Sequence, residues 1–166
     1  MFGSSAQWLP TPFQLLETIL VVDDNPEVLS AVSVILRNAE FHILKATNGP
    51  EAVELAHGFT GTIDMLLSDW NMPEMSGPAL GRVLKLLRPD IHVMLMSGDN
   101  SGSIMILNYG WAFLEKPFET NKLVSMVTDV LRTPSRAQAG GEEFDSRKDH
   151  EPPLSGAQKP KKPPIT

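Results

Sequence analysis

Five short apolar runs, four of them handing over to a segment of helical periodicity before the next begins, constrain this chain more than any other feature. Glu17-Thr18-Ile19-Leu20-Val21-Val22 is apolar and β-branched and ends at Asp23-Asp24, which reads as a strand buried on both faces. Asn25 is placed to cap a helix with Pro26 at its first position, and Val28, Val32, Ile35 and Leu36 recur on one helical face. Phe41 to Ala46 reads as a second strand, and Asn48-Gly49-Pro50 opens a helix over about Glu51 to His57. Thr62 to Asp69 is a third strand. Ser76-Gly77-Pro78 starts a helix with Leu80, Val83, Leu84 and Leu87 on one face, and Pro89 follows its end. Ile91 to Met96 is a fourth strand, apolar except for His92, closing in Ser97-Gly98. Residues 101–109 form at best a weak helix, broken by Gly102. Trp111 to Glu115 is a fifth strand leading into Lys116-Pro117. Thr120 to Arg132 is a last helix with Leu123, Val127, Val130 and Leu131 inward.

Apolar strands joined by helices imply a parallel sheet with helices on both faces, because the crossovers must be right-handed. In open sheets of this kind ligands sit beyond the carboxyl ends of the strands. Of the 166 residues 42% are hydrophobic, enough for one core of about 120 residues and no second domain of usual size. The absence of cysteine excludes disulfide scaffolds, thiol chemistry and cysteine-ligated zinc. No apolar run approaches the roughly 18 residues that cross a bilayer, and Met1 to Pro12 lacks the pattern of a signal peptide. A cytoplasmic protein without membrane insertion is expected.

Charge is unevenly placed. Residues 1–132 carry 8 Lys and Arg against 15 Asp and Glu, a net of −7, which argues against direct nucleic-acid binding. Residues 133–166 carry 6 basic and 5 acidic side chains, six prolines, and only Phe144, Leu154 and Ile165 as large apolar residues. They read as a disordered tail, with Lys159-Pro160-Lys161-Lys162-Pro163-Pro164 as either a polyproline-type ligand, an electrostatic handle or a solvated end. Residues 1–16 read as an N-terminal extension and 17–132 as the folded domain.

The carboxyl ends carry the chemistry. Asp23 and Asp24 follow the first strand, Asp69 ends the third, Ser97 the fourth, and Lys116 follows the fifth. Converging carboxylates repel unless a cation relieves them. Magnesium suits one or two carboxylates, waters and a phosphate oxygen, and Lys116 offers a point charge for a phosphoryl oxygen. Such a site is suited to phosphoryl transfer onto a carboxylate.

These residues resemble the receiver domain of two-component response regulators. Val21-Val22-Asp23-Asp24 looks like the family's acidic pair, and Ser68-Asp69-Trp70-Asn71-Met72-Pro73-Glu74-Met75-Ser76-Gly77 like its phosphoacceptor strand end and loop. Met96-Ser97-Gly98 looks like the hydroxyl motif and Phe113-Leu114-Glu115-Lys116-Pro117-Phe118 like the lysine-proline motif, usually with a cis peptide before the proline. The resemblance covers about residues 17–132. It implies a flavodoxin-like, doubly wound α/β fold: five parallel strands in the order 2-1-3-4-5, flanked by five helices.

By position, the resemblance makes Asp69 the phosphoacceptor. Mg²⁺ would be held by Asp24 and Asp69 directly, by Asp23 through water and by the Asn71 carbonyl. Ser97 and Phe113 would be the switch pair and Lys116 the phosphoryl-binding cation. The implied partners are a histidine kinase or histidine phosphotransfer protein. The implied output face, where a homodimer would also form, is the helical segment near 101–109, the fifth strand and the last helix. That segment is unusually placed, with only 19 positions from Ser97 to Lys116, and Asp99 lies where it would influence hydrolysis of an acyl phosphate.

Other readings stand beside these. Asp23 and Asp24 could cap a helix, and Asp69 could be a turn residue. Trp111 is either an exposed partner contact or simple packing. His42, His57, His92 and His150 have no metal-ligand spacing. An aspartate-nucleophile phosphohydrolase would need an acid–base aspartate at position 71, where Asn71 stands. A receiver-like binding module that is never phosphorylated is the third class. No enzymatic turnover of an external substrate is expected, and the domain could stand alone or belong to a hybrid kinase.

Overall fold

In a computed structural model, residues 16–98 and 110–134 are described. The strands are β1 (Thr18–Val22), β2 (His42–Ala46), β3 (Met65–Asp69), β4 (His92–Ser97) and β5 (Ala112–Glu115). The helices are α1 (Pro26–Asn38), α2 (Gly49–Gly58), α3 (Gly77–Leu87) and α4 (Thr120–Arg132). All paired strands are parallel, in the order β2-β1-β3-β4-β5, so the doubly wound sheet expected from the alternation is the one observed. Four of the five expected helices are described; residues 101–109 and Asp99 lie outside the described residues, as do residues 1–15 and 135–166.

Strand alternation splits the core in two, because successive side chains face opposite sides of a sheet. Ile19, Val21, Met65, Leu67, Met94, Met96 and Leu114 pack against α1 and α4 through Leu29, Val32, Leu36, Leu123 and Val127. Leu20, Val22, Leu66, Val93 and Leu95 pack on the other side against Ala52, Ala56, Leu80 and Leu84. Both faces of β1 and β4 are buried, so neither strand shows polar alternation.

Local chemistry sets the helix starts. Asn25 Oδ1 accepts from the Glu27 and Val28 amides, Asn48 Oδ1 from Glu51 and Ser76 Oγ from Ala79, each with proline in the first turn. The second helix therefore begins at Gly49, earlier than its apolar pattern indicates. Several boundaries and faces also move. In α1 the buried row is Leu29, Val32, Ser33 and Leu36, with Val28 and Ile35 half-buried; the Ser33 hydroxyl is satisfied by the Leu29 carbonyl at 2.6 Å. β3 starts at Met65 rather than Thr62, and the Asp64 carboxylate takes the Thr18 amide at 2.7 Å. In α3 the buried row Leu80, Leu84 continues to Arg88, not Leu87, which is 44% exposed. The Arg88 guanidinium ties down the α2–β3 connection by donating to the carbonyls of Ala56, Phe59 and Gly61.

Trp111 is a correction to the partner-contact alternative: it is buried in the α3-side core. A Cβ on Gly81 would stand 2.8 Å from the Trp111 ring, so the glycine in α3, unfavourable in a helix by about 1 kcal/mol, makes room for the indole.

Candidate functional site

β1, β3 and β4 run in register, which carries their carboxyl ends to one rim. β5 pairs Glu115 with Ser97, and the next amide, Lys116 N–H, donates to the Ser97 carbonyl at 2.7 Å. The Lys116–Pro117 peptide is cis, as the lysine-proline motif implies. The Lys116 side chain reaches back across the rim. Its Nζ donates to Asp23 Oδ2 at 2.8 Å and to Asp69 Oδ1 at 2.7 Å.

The two carboxylates are fixed by backbone amides as well. Asp23 Oδ1 accepts from Asn25 N–H at 2.9 Å and Asp69 Oδ2 from Asn71 N–H at 2.8 Å. Asp23 thus orients Asn25, which does the capping; the aspartate is not itself the helix cap. The Asp23 side chain is 2% exposed, that of Asp69 13% and that of Lys116 22%. Burial works to lower the Lys116 pKa, but the hydrogen bonds and charges of Asp23 and Asp69 outweigh it and hold the ammonium above the usual lysine range.

The remaining expected residues sit around this triad. Asp24 is exposed beyond β1, and Asn71 is exposed in the loop after β3. Ser97 is buried at the end of β4. Phe113 is half-buried on β5, with its ring 6.4 Å from that of Trp70 and nearly perpendicular to it at 80°. Asp23, Asp69 and Lys116 are brought into direct contact, with Ser97 joined through its backbone.

Gly77 is a positioning residue that residue-type reasoning alone does not single out. A Cβ there would collide with the Asp69 carbonyl, and the Gly77 amide donates to the Trp70 carbonyl at 2.9 Å. Met75 packs on Gly49, where an added Cβ would lie 2.6 Å from its side chain, so the loop after β3 is seated on the start of α2. The signal for both was a glycine at a helix start, readable as capping but not as close approach.

Among the described residues no three acidic or histidine side chains form a metal cage. The donor set does fit a cation that keeps much of its water: two or three carboxylates and a loop carbonyl at an open rim are the pattern magnesium accepts. A cavity of about 470 Å³ opens at the opposite rim, lined by Asp64, Arg88, Asp90, His92 and Leu131 among others.

Residues 19–128 match the model of the response regulator receiver domain. The chain belongs to that family. A receiver domain from the hybrid histidine kinase CckA has a solved structure that is 33% identical, with a TM-score of 0.61, covering 69% of this chain and 99% of that one. The sensor kinase CckA of Brucella abortus is 32% identical over 117 residues, which are 69% of this receiver chain but only 12% of CckA. The cell cycle response regulator CtrA of Brucella ovis is 23% identical over 117 residues, half of its length. The chemotaxis protein CheY4 of Vibrio cholerae shares the fold, with a TM-score of 0.64 at 23% identity, covering 70% of this chain and 99% of that one. Among the described residues no helix is long and apolar enough to cross a membrane.

Proposed function

We propose that this receiver domain accepts a phosphoryl group on Asp69 from a phosphohistidine and signals through the resulting change at Ser97 and Phe113. The observation that supports this most strongly is the Lys116 ammonium held against Asp69 and Asp23 at the carboxyl rim. One Asp69 carboxylate oxygen attacks phosphorus, the phosphorus–nitrogen bond of the donor breaks with its electron pair going to nitrogen, and the imidazole, which keeps the proton on its other ring nitrogen, leaves neutral; Asp69 becomes an acyl phosphate. Lys116 balances charge on the transferred phosphoryl oxygens. The Asn71 amide keeps the carboxylate oriented, and Ser97 supplies a hydroxyl donor once turned to the rim. Mg²⁺, held by Asp24, Asp69, the Asn71 carbonyl and, through water, Asp23, would supply neutralisation of the same oxygens.

Phosphorylation replaces the single carboxylate charge with the larger charge of a phosphoryl group, which draws Lys116 to the phosphoryl oxygens and rewards a new place for Ser97, biasing a pre-existing equilibrium. The edge-on contact with Trp70 links Phe113 to the loop that follows Asp69. The proposed donors are a histidine kinase or histidine phosphotransfer protein. The likeness to a hybrid kinase receiver favours a relay position over direct action on DNA, and the chain turns over no external phosphate ester. Cytoplasmic operation and dimerisation through β5 and α4 belong to the same reading. The modulating role of Asp99 is tested by Asp99→Ala, which should change the dephosphorylation rate.

Acetyl phosphate with Mg²⁺, followed by intact mass, tests the reading. One phosphoryl group should be gained with the metal and none with chelator. Gain independent of metal would remove Mg²⁺ from it, and no gain from acetyl phosphate or a phosphohistidine donor would favour a binding module instead.

A further inference from the structure

Trp70 follows Asp69 directly, and its main chain is held on both sides. Its amide donates to the Met96 carbonyl at 2.8 Å, one residue before Ser97, and its carbonyl accepts from the Gly77 amide at 2.9 Å. Gly77 is itself pressed against the Asp69 carbonyl, with no room for a Cβ. The backbone that carries the indole is therefore tied to the strand ends that carry Asp69 and Ser97. The indole meets Phe113 edge-on, with ring centres 6.4 Å apart at 80°. Both rings are partly buried against the α3-side core, and Phe113 lies opposite Leu95 in the β4–β5 register. One residue thus adjoins the acceptor, the end of β4 and the aromatic of β5.

The arrangement described is the one that phosphorylation departs from, because Lys116 is bonded to the free Asp69 carboxylate. The inference rests on the reading given above, in which Phe113 changes place when Asp69 carries a phosphoryl group. An edge-on aromatic pair contributes a factor of about 2 to 12 to an equilibrium beyond its buried area. That stabilisation belongs to the present position of Phe113 and is lost when the ring moves. We propose that Trp70 is a positioning residue that holds Phe113 in this place, and so sets how much of the switched state is populated before a phosphoryl group arrives. A contact that stabilises one of two states weakens, by the same factor, the binding of whatever prefers the other.

Beryllofluoride with Mg²⁺, a phosphoryl mimic that binds a carboxylate, tests this in the full chain. Its affinity, read from bound and free fluorine-19 signals, should tighten about two- to twelvefold in Trp70→Leu. In a Phe113→Leu background the same substitution should shift the affinity by less than about twofold, because the ring it acts on is gone. In the wild type, nuclear Overhauser contacts between the Trp70 and Phe113 rings should be present with Mg²⁺ alone and lost once beryllofluoride is bound. Affinity that is unchanged or weaker in Trp70→Leu, an equal shift in both backgrounds, or ring contacts that persist with the mimic bound would overturn the role of Trp70 alone. No binding to the wild type, or binding that survives Asp69→Asn, would remove the acceptor reading and the proposal with it.

Discussion

Lys116 Nζ lies 2.7 Å from Asp69 Oδ1, and the same ammonium is 2.8 Å from Asp23 Oδ2, so one cation joins carboxylates from β3 and the end of β1. A largely buried charge network of this kind costs most when one member is removed and the others stay.

Lys116→Met should therefore lower the unfolding free energy by about 2 to 3 kcal/mol in metal-free buffer, since it leaves two carboxylates facing each other. Urea denaturation with and without Mg²⁺ measures this. Part of the loss should return with the metal if the proposed site is real; an unchanged midpoint would show that the bridge carries no net weight.

Gly77→Ala should do double damage. Its methyl group is driven at the Asp69 carbonyl, so a stability loss of about 1 to 3 kcal/mol is expected together with slower phosphorylation. The same test at Gly58, where an added Cβ meets nothing within 4 Å, provides the control that should be close to neutral or stabilising.

Gly81→Ala should cost a similar amount of stability through the Trp111 ring while leaving the phosphorylation rate near wild type. If both glycine variants slow phosphorylation equally, the special place of Gly77 beside Asp69 is wrong.

His92 predicts an acid-side weakness. It is buried, its Nδ1 has no hydrogen-bond partner, and burial followed by the nearby Lys85 charge lowers its pKa, with Asp64 opposing. The folded state then binds the proton less readily than the unfolded state. Stability should fall as pH drops through the ordinary histidine value of about 6.5 and level off below the depressed folded value. Denaturation midpoints between pH 7.5 and 5, as ordinary working limits, should show this slope in wild type and a smaller one in His92→Leu. Equal slopes would assign the acid sensitivity to other groups.

The sheet was legible because its strands are apolar throughout and separated by capped helices; Asn25, Asn48 and Ser76 mark helix starts by chemistry that acts within four residues. The convergence of Asp23, Asp69 and Lys116 was legible because parallel strands must end on one rim. Tertiary contacts were not. Nothing local distinguishes Arg88 as the ligand of three carbonyls, Leu87 as half-exposed, Trp111 as buried against a glycine, or Asp64 as the partner of the Thr18 amide. Each is decided by an element distant in sequence.

Borohydride reduction after exposure to acetyl phosphate and Mg²⁺ tests the central claim most directly, because it converts an aspartyl phosphate to homoserine at the residue that carried it. Peptide mass should place homoserine at position 69 in the wild type and nowhere in Asp69→Asn. Homoserine at another aspartate, or none in a sample that has gained a phosphoryl group, would contradict the assignment of Asp69.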